Sequence, residues 1–182
     1  MTIKRCSWVT DEEIYIKYHD EEWGVPTHDD QELFEMLVLE SFQAGLSWIT
    51  ILKKRENFRK AFDNFDYMKI SEYKEDKVNE LKENKGIIRH KGKINAAINN
   101  AKIFMEIQNE FESFDSYIWG FSNGKIIKAE FKTESELSKT ISKDLKKRGM
   151  KFVGPTIVYS YLESIGIIDN HQKSCFKFNK TD

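Results

Sequence analysis

"DQELFEMLVLESFQAGLSWITILKKRENFRKAF", residues 30–62, decides the fold class of this chain. Its apolar residues recur at helical spacing, so two helices are expected here. Gly45 divides them, the first starts near Asp29 or Asp30, and Ser47 is placed to cap the second, which carries Trp48, Ile51, Leu52 and Phe58. One residue breaks the pattern. At about 100° per residue, Glu40 falls between Leu33 and Met36, one turn beyond Leu37, while Gln31, Glu32 and Glu35 point elsewhere. A carboxylate on an apolar stripe is costly unless it is paired or meets a polar ligand. Three explanations are open: a helix edge that reaches solvent, a salt bridge, or a ligand.

Outward from this stretch the pattern stays helical. The chain has 182 residues, only two prolines and no sustained alternation of period two, which predicts an all-α fold. Thr10 to Glu13 reads as a capping box that opens a short helix with Ile14, Tyr15 and Tyr18. A helix over 75–84 presents Val78 and Leu81, with Gly86 after it as a left-handed C-terminal cap. A long helix follows, with Ile94, Ala97, Ile98, Ala101 and Met105. Thr133 to Glu136 is a second capping box, and Lys146, Lys147, Arg148 and Gly149 form a stop. The last helix starts at Pro155 and ends at Gly166. "FSNGKIIKAEFK", residues 121–132, has room for a short strand. No repeat or linker divides the chain, so one helical domain over 1–182 is expected.

Composition excludes some classes. No apolar run approaches the roughly 18 residues a membrane span needs, and the first residues, MTIKRCSWVTDEE, lack the apolar core of a signal peptide. A cytoplasmic location without membrane partners is expected. Net charge is -1 and the sequence pI about 6.5. Basic residues nevertheless cluster at 53–60, at 85–93 and at 143–151. Each cluster is either a solvated helix surface or part of a positive face.

Three groups of residues carry possible chemistry. Cys6 and His19 lie near the start, and His171 and Cys175 near the end, in "HQKSC". Two thiolates and two imidazoles complete a tetrahedral Zn²⁺ shell with no open position. The alternative is a pair of small buried cysteines with surface histidines. If the metal site exists, it is a structural clasp joining 6–19 to 171–175. Secondly, Trp8, Trp23 and Trp48 fall in the first 50 residues with Tyr15, Tyr18, Phe34 and Phe42, as core or as a pocket. Thirdly, "LKENKGIIRHKGKINAAINNAK", residues 81–102, reads as helix, turn and helix. Its Gly86 turn, with Lys85, Arg89, Lys91 and Lys93, is either an ordinary helical hairpin or a phosphate holder.

"RCSWV", "YIKYHDEEWGVP", "QAGLSW", "GIIRHKGKI" and "KKRGMKFVGPTIVYSYLESIGIIDNH" together resemble the 3-methyladenine DNA glycosylase I family. That family is the zinc-containing branch of the helix-hairpin-helix glycosylases, and the resemblance spans about residues 4 to 175. It implies a helix-hairpin-helix element at about 75–108 and zinc held by Cys6, His19, His171 and Cys175. It implies a base pocket of Tyr18, Glu40 and Trp48 with Trp8 and Trp23 nearby, and Glu40 as the catalytic or recognition acid. Gly45 and Leu46 would approach the DNA gap, while Gly86, Arg89, Lys91 and Lys93 grip phosphates. Ser41 stands where relatives often carry glycine.

The implied activity is release of 3-methyladenine from alkylated double-stranded DNA by a monomeric, monofunctional enzyme. The cationic base would be flipped out of the duplex and held by aromatic faces. No lysine stands out as a Schiff-base nucleophile. A zinc-stapled DNA-binding module without chemistry is the competing reading, and a carboxylate in an apolar pocket separates the two. A zinc hydrolase would need a coordination position that four protein ligands deny.

Overall fold

The computed structural model describes residues 3–130, 132–178 and 180. Leu33, Phe34 and every residue from 36 to 42 are buried, which makes α2 (Asp30–Gln43) the axis of the fold. A helix that is apolar round most of its circumference must be packed on several sides. Asp29 caps it by accepting from the Glu32 amide at 3.0 Å. α3 (Trp48–Ala61) packs on one side, where Phe42 meets Phe58 edge-on at 4.9 Å between ring centroids. α9 (Pro155–Ser164) packs on another, and the Tyr161 hydroxyl donates to the Leu33 carbonyl at 2.9 Å.

α6 (Lys91–Phe111) and α7 (Phe114–Gly120) close a further side, with Phe104 stacked on Phe114 and edge-on to Phe34. Asp30 accepts from the Phe114 and Asp115 amides at 2.9 and 2.8 Å, so the start of α2 caps α7. α1 (Glu13–Lys17), α4 (Tyr67–Ser71), α5 (Glu75–Glu83) and α8 (Glu136–Lys147) complete the helices among the described residues. The protein is mostly helical, as expected. It also has one two-stranded parallel sheet, β1 (Ile127–Lys128) on β2 (Ile168–Asp169), so the possible strand in 121–132 exists.

Local signals went astray where several polar residues competed. Glu12 precedes α1 and no side chain caps it, so Thr10 and Glu13 form no box. The observed box joins Ser135 and Ser138, two residues beyond the expected start, where each side chain reaches the other's backbone amide. Gly86 is not left-handed. The Asn84 side chain accepts from its amide at 2.8 Å and makes the turn itself. Ser47 does head α3, but its hydroxyl pairs with that of Thr50 at 2.7 Å rather than with the backbone.

The two ends of the chain meet. The Gln172 side chain accepts from the Ser7 amide at 2.7 Å and donates to its hydroxyl at 2.8 Å. The Phe176 amide donates to the Lys4 carbonyl at 2.8 Å.

Candidate active site

α2 delivers Glu40 to the floor of a cavity of about 150 Å³. A π-helical turn (Tyr18–Glu22) directly after α1 brings Tyr18 beside it, and such turns often mark functional positions. α3 supplies Trp48 from its first residue, 5.4 Å from Tyr18 between ring centroids. Trp8 and Trp23 meet edge-to-face at 5.0 Å on another wall, and Trp8 also contacts Tyr15 at 5.0 Å. Every pocket residue expected from the sequence therefore lines one cavity. Gln43, Ser160, Glu163, Asn170 and Gln172 line it too and were not expected. They come from the end of α2, from α9 and from the segment after it, and no local pattern marks them as neighbours of Glu40.

Two of the three explanations for Glu40 fall away. It is 3% exposed, so it does not reach solvent, and no cation lies within ion-pair distance among the described residues. Arg55 pairs with Glu22 and Glu35, and Arg59 with Glu35 and Glu56. Glu40 Oε2 is buried without a hydrogen-bond partner, as is Trp48 Nε1. Burial, and secondarily the negative charge of Glu163, hold the Glu40 carboxyl well above the usual carboxylate range. Burial also pushes Glu163 up to about 7, against a hydrogen bond from the Asn170 amide at 2.8 Å. Both acids line one cavity in which no lysine or arginine stands among the described lining residues.

Leu46, 40% exposed, lies on the turn between α2 and α3, two residues from Trp48 of the cavity wall. Gly45 adopts φ +79° there with nothing within 4 Å of where a Cβ would be, so it is the backbone conformation that calls for glycine.

The expected phosphate grip is divided by the structure. Arg89 is exposed and Lys91 pairs with Glu75 at 3.1 Å on the surface. Gly86 is half-buried against Asn57. Lys93 contradicts its expected role. It is 7% exposed, and its ammonium donates to the Phe42 and Ala44 carbonyls at 2.9 and 2.6 Å, pointing into the protein. His90 occupies the N-terminus of α6 by accepting from the Lys93 amide at 3.1 Å. The N-terminus of α9 is different: Gly154 brings no side chain to cap it. Lys143 and Lys146 lie in the same shallow depression as Pro155, its first residue. The sequence marks the turn joining α8 to α9 as a helix stop and a helix start, and the 143–151 basic cluster around it as a solvated surface or part of a positive face.

Beside the cavity, Cys6, His19 and Cys175 bring one ligand atom each within 4.8 Å of one another, all buried. Both cysteines are free thiols, so no disulfide competes. His19 Nδ1 bonds to Asp20 at 2.7 Å, which leaves Nε2 toward Cys175 Sγ at 3.5 Å. His171 Nδ1 bonds to Asp169 at 2.7 Å, and its Nε2 is buried with no partner. Carboxylates that orient the outer ring nitrogen are the usual support of metal-binding histidines. The His19 and His171 rings are 5.4 Å apart between centroids. Burial lowers the pKa of both imidazoles, keeping them neutral as ligands must be, and pushes the Cys6 thiol up to about 12. Gly24, at φ +75°, is required here because a Cβ would lie 2.7 Å from the His171 ring. Cys6, His19 and Cys175 are close enough to hold one metal ion, a donor set that suits zinc, while His171, with its orphaned Nε2, stands outside that group of three.

Comparison with known proteins agrees with this geometry. Residues 8–178 match the family model described as methyladenine glycosylase. DNA-3-methyladenine glycosylase 1 of Escherichia coli (strain K12) is 45% identical over 179 residues, covering 95% of this chain and 96% of that protein. The 3-methyladenine DNA glycosylase I of Staphylococcus aureus, solved for its recognition of 3-methyladenine, superposes with a TM-score of 0.94. It is 35% identical, and the match covers 100% of both chains. A tyrosine-to-phenylalanine variant of 3-methyladenine DNA glycosylase I in complex with 3-methyladenine has a TM-score of 0.91 and 36% identity, over 94% of this chain and 96% of that one.

Proposed function

The chain belongs to the methyladenine glycosylase family, and from that premise we propose that it hydrolyses the N-glycosidic bond of 3-methyladenine in alkylated duplex DNA. The single observation that carries this reading is Glu40, a buried acid with no cationic partner, facing a cavity walled by Tyr18, Trp48, Trp8 and Trp23. Attachment of a methyl group at N3 makes the base cationic and a good leaving group. Indole and phenol faces attract such a ring, and its charge compensates the carboxylate that the protein leaves uncompensated. Neutral adenine brings no such charge. Recognition thus follows from an electrostatic vacancy more than from shape.

Reaching the pocket requires the nucleotide to leave the duplex, at a cost of a few kcal/mol. Leu46, exposed on the turn between α2 and α3, is the wedge that fills the vacated stack. No lysine is among the residues lining the cavity, which supports a monofunctional enzyme without strand cleavage. The open N-terminus of α9 with Lys143 and Lys146, together with exposed Arg89, supplies the phosphate contacts. Zinc held by Cys6, His19, His171 and Cys175 would join the chain ends without entering the reaction. A DNA-binding module without chemistry accounts for the basic residues but not for Glu40.

Incubation with methylated duplex, followed by chromatography of the liberated purines, tests the reading. Free 3-methyladenine is expected, and its absence would remove the proposal. The phosphate contacts have their own test. Combined Lys143→Ala and Lys146→Ala should weaken binding to any duplex and reduce the slope of log affinity against log salt by about 2. Arg89→Ala should reduce it by about 1. An unchanged slope would take those residues off the DNA.

A further inference from the structure

Lys93 is a buried cation that the pocket, the metal clasp and the phosphate grip all leave unused. Its own helix does not account for it. It stands in the first turn of α6, where the helix dipole disfavours positive charge. The last carbonyls of α2, at the opposite pole of another helix, receive it instead: Phe42 at 2.9 Å and Ala44 at 2.6 Å. The last carbonyls of a helix have no partner within the helix, and burial of the ammonium, which lowers its pKa, makes these contacts necessary to it.

The carbonyls it holds lead directly into the turn between two residues of the cavity wall. Gly45 and Leu46 follow Ala44, and the Leu46 amide donates to the Gln43 carbonyl at 2.6 Å. Gln43 and Trp48, on either side of the turn, line the cavity. We propose that Lys93 is a positioning residue: from behind, it holds the 43–46 turn in the orientation that lets Leu46 enter the duplex while Gln43 and Trp48 keep the pocket open. The destination of Leu46 rests on the proposed function. The fixing of the turn does not.

Lys93→Met tests this, because it keeps the length and apolar stem of the side chain but removes its donors. In the variant, amide hydrogen exchange should accelerate at residues 43–47 and stay unchanged in α9. Single-turnover release of 3-methyladenine from a fully paired duplex should fall about tenfold or more, as misplacement of a substrate-handling group does. The loss should be smaller when the lesion faces a mismatch, where extrusion costs less. Binding to undamaged duplex should keep its salt slope. Unchanged exchange at 43–47 overturns the proposal. So does an equal loss on both substrates, which marks a purely structural role, and so does a reduced salt slope, which returns Lys93 to phosphate contact. Lys93→Gln, with a shorter amide donor, gives the same readouts should the methionine variant not fold. If the unsubstituted protein released no base, the functional reading would fail, and the exchange measurement would still decide the role of Lys93.

Discussion

Glu40→Gln should fold at least as stably as the parent protein and lose about a hundredfold or more of its base release from alkylated duplex. Both halves follow from one arrangement. The carboxyl is buried, has an oxygen without a partner, and is held well above its usual pKa by burial and by Glu163. Such a group weakens the empty protein, so replacing it with an uncharged amide of the same shape costs the fold little. The cationic base, by contrast, meets that carboxylate in a cavity where charge interactions are weakly screened. Removing it deprives the base and its departing sugar of the negative charge that balances them. Thermal unfolding and single-turnover release, measured side by side, check the two expectations. Release at the parental rate would take Glu40 out of both recognition and chemistry.

Loss of the metal clasp should have the largest effect on stability. The purified protein is expected to hold about one zinc per chain, and Cys175→Ala should abolish it. Chelation or this substitution should lower stability by several kcal/mol, because the binding energy of a structural metal is folding energy. The effect should stop short of complete unfolding. Ser7, Gln172, Lys4 and Phe176 join the chain ends without the metal, and most of the aromatic core around α2 is held by packing that does not involve the ligands. Trp23, 4.7 Å from His171 between ring centroids, links the clasp to the pocket wall, so base release should also fall. Elemental analysis and denaturant unfolding with and without chelator measure these outcomes. A metal-free preparation with the full unfolding midpoint would end the clasp.

The amino-acid order alone pointed to most of the helices, though not to the short α4 and α7, and to the break at Gly45 and the placement of Glu40 on an apolar face. It also established the two sets of cysteine and histidine at the chain ends as a possible unit. These are readings of local periodicity and residue chemistry. Where it misled, several polar residues competed for one job. Thr133 and Glu136 fit the usual box, yet the box is formed by Ser135 and Ser138. Lys93 and Arg89 look alike in a basic run, yet one is buried and the other exposed.

Only the tertiary structure decided the partners. It left Glu40 buried without a cation among the described residues and paired Arg55 and Arg59 with Glu22, Glu35 and Glu56. It brought Glu163 and Asn170 to the same cavity, turned Lys93 inward and left the N-terminus of α9 open. The physical reason is one of range. A helix assigns each side chain a direction from the residues beside it in the chain. What that side chain meets is set by segments tens of residues away, whose positions no local period records.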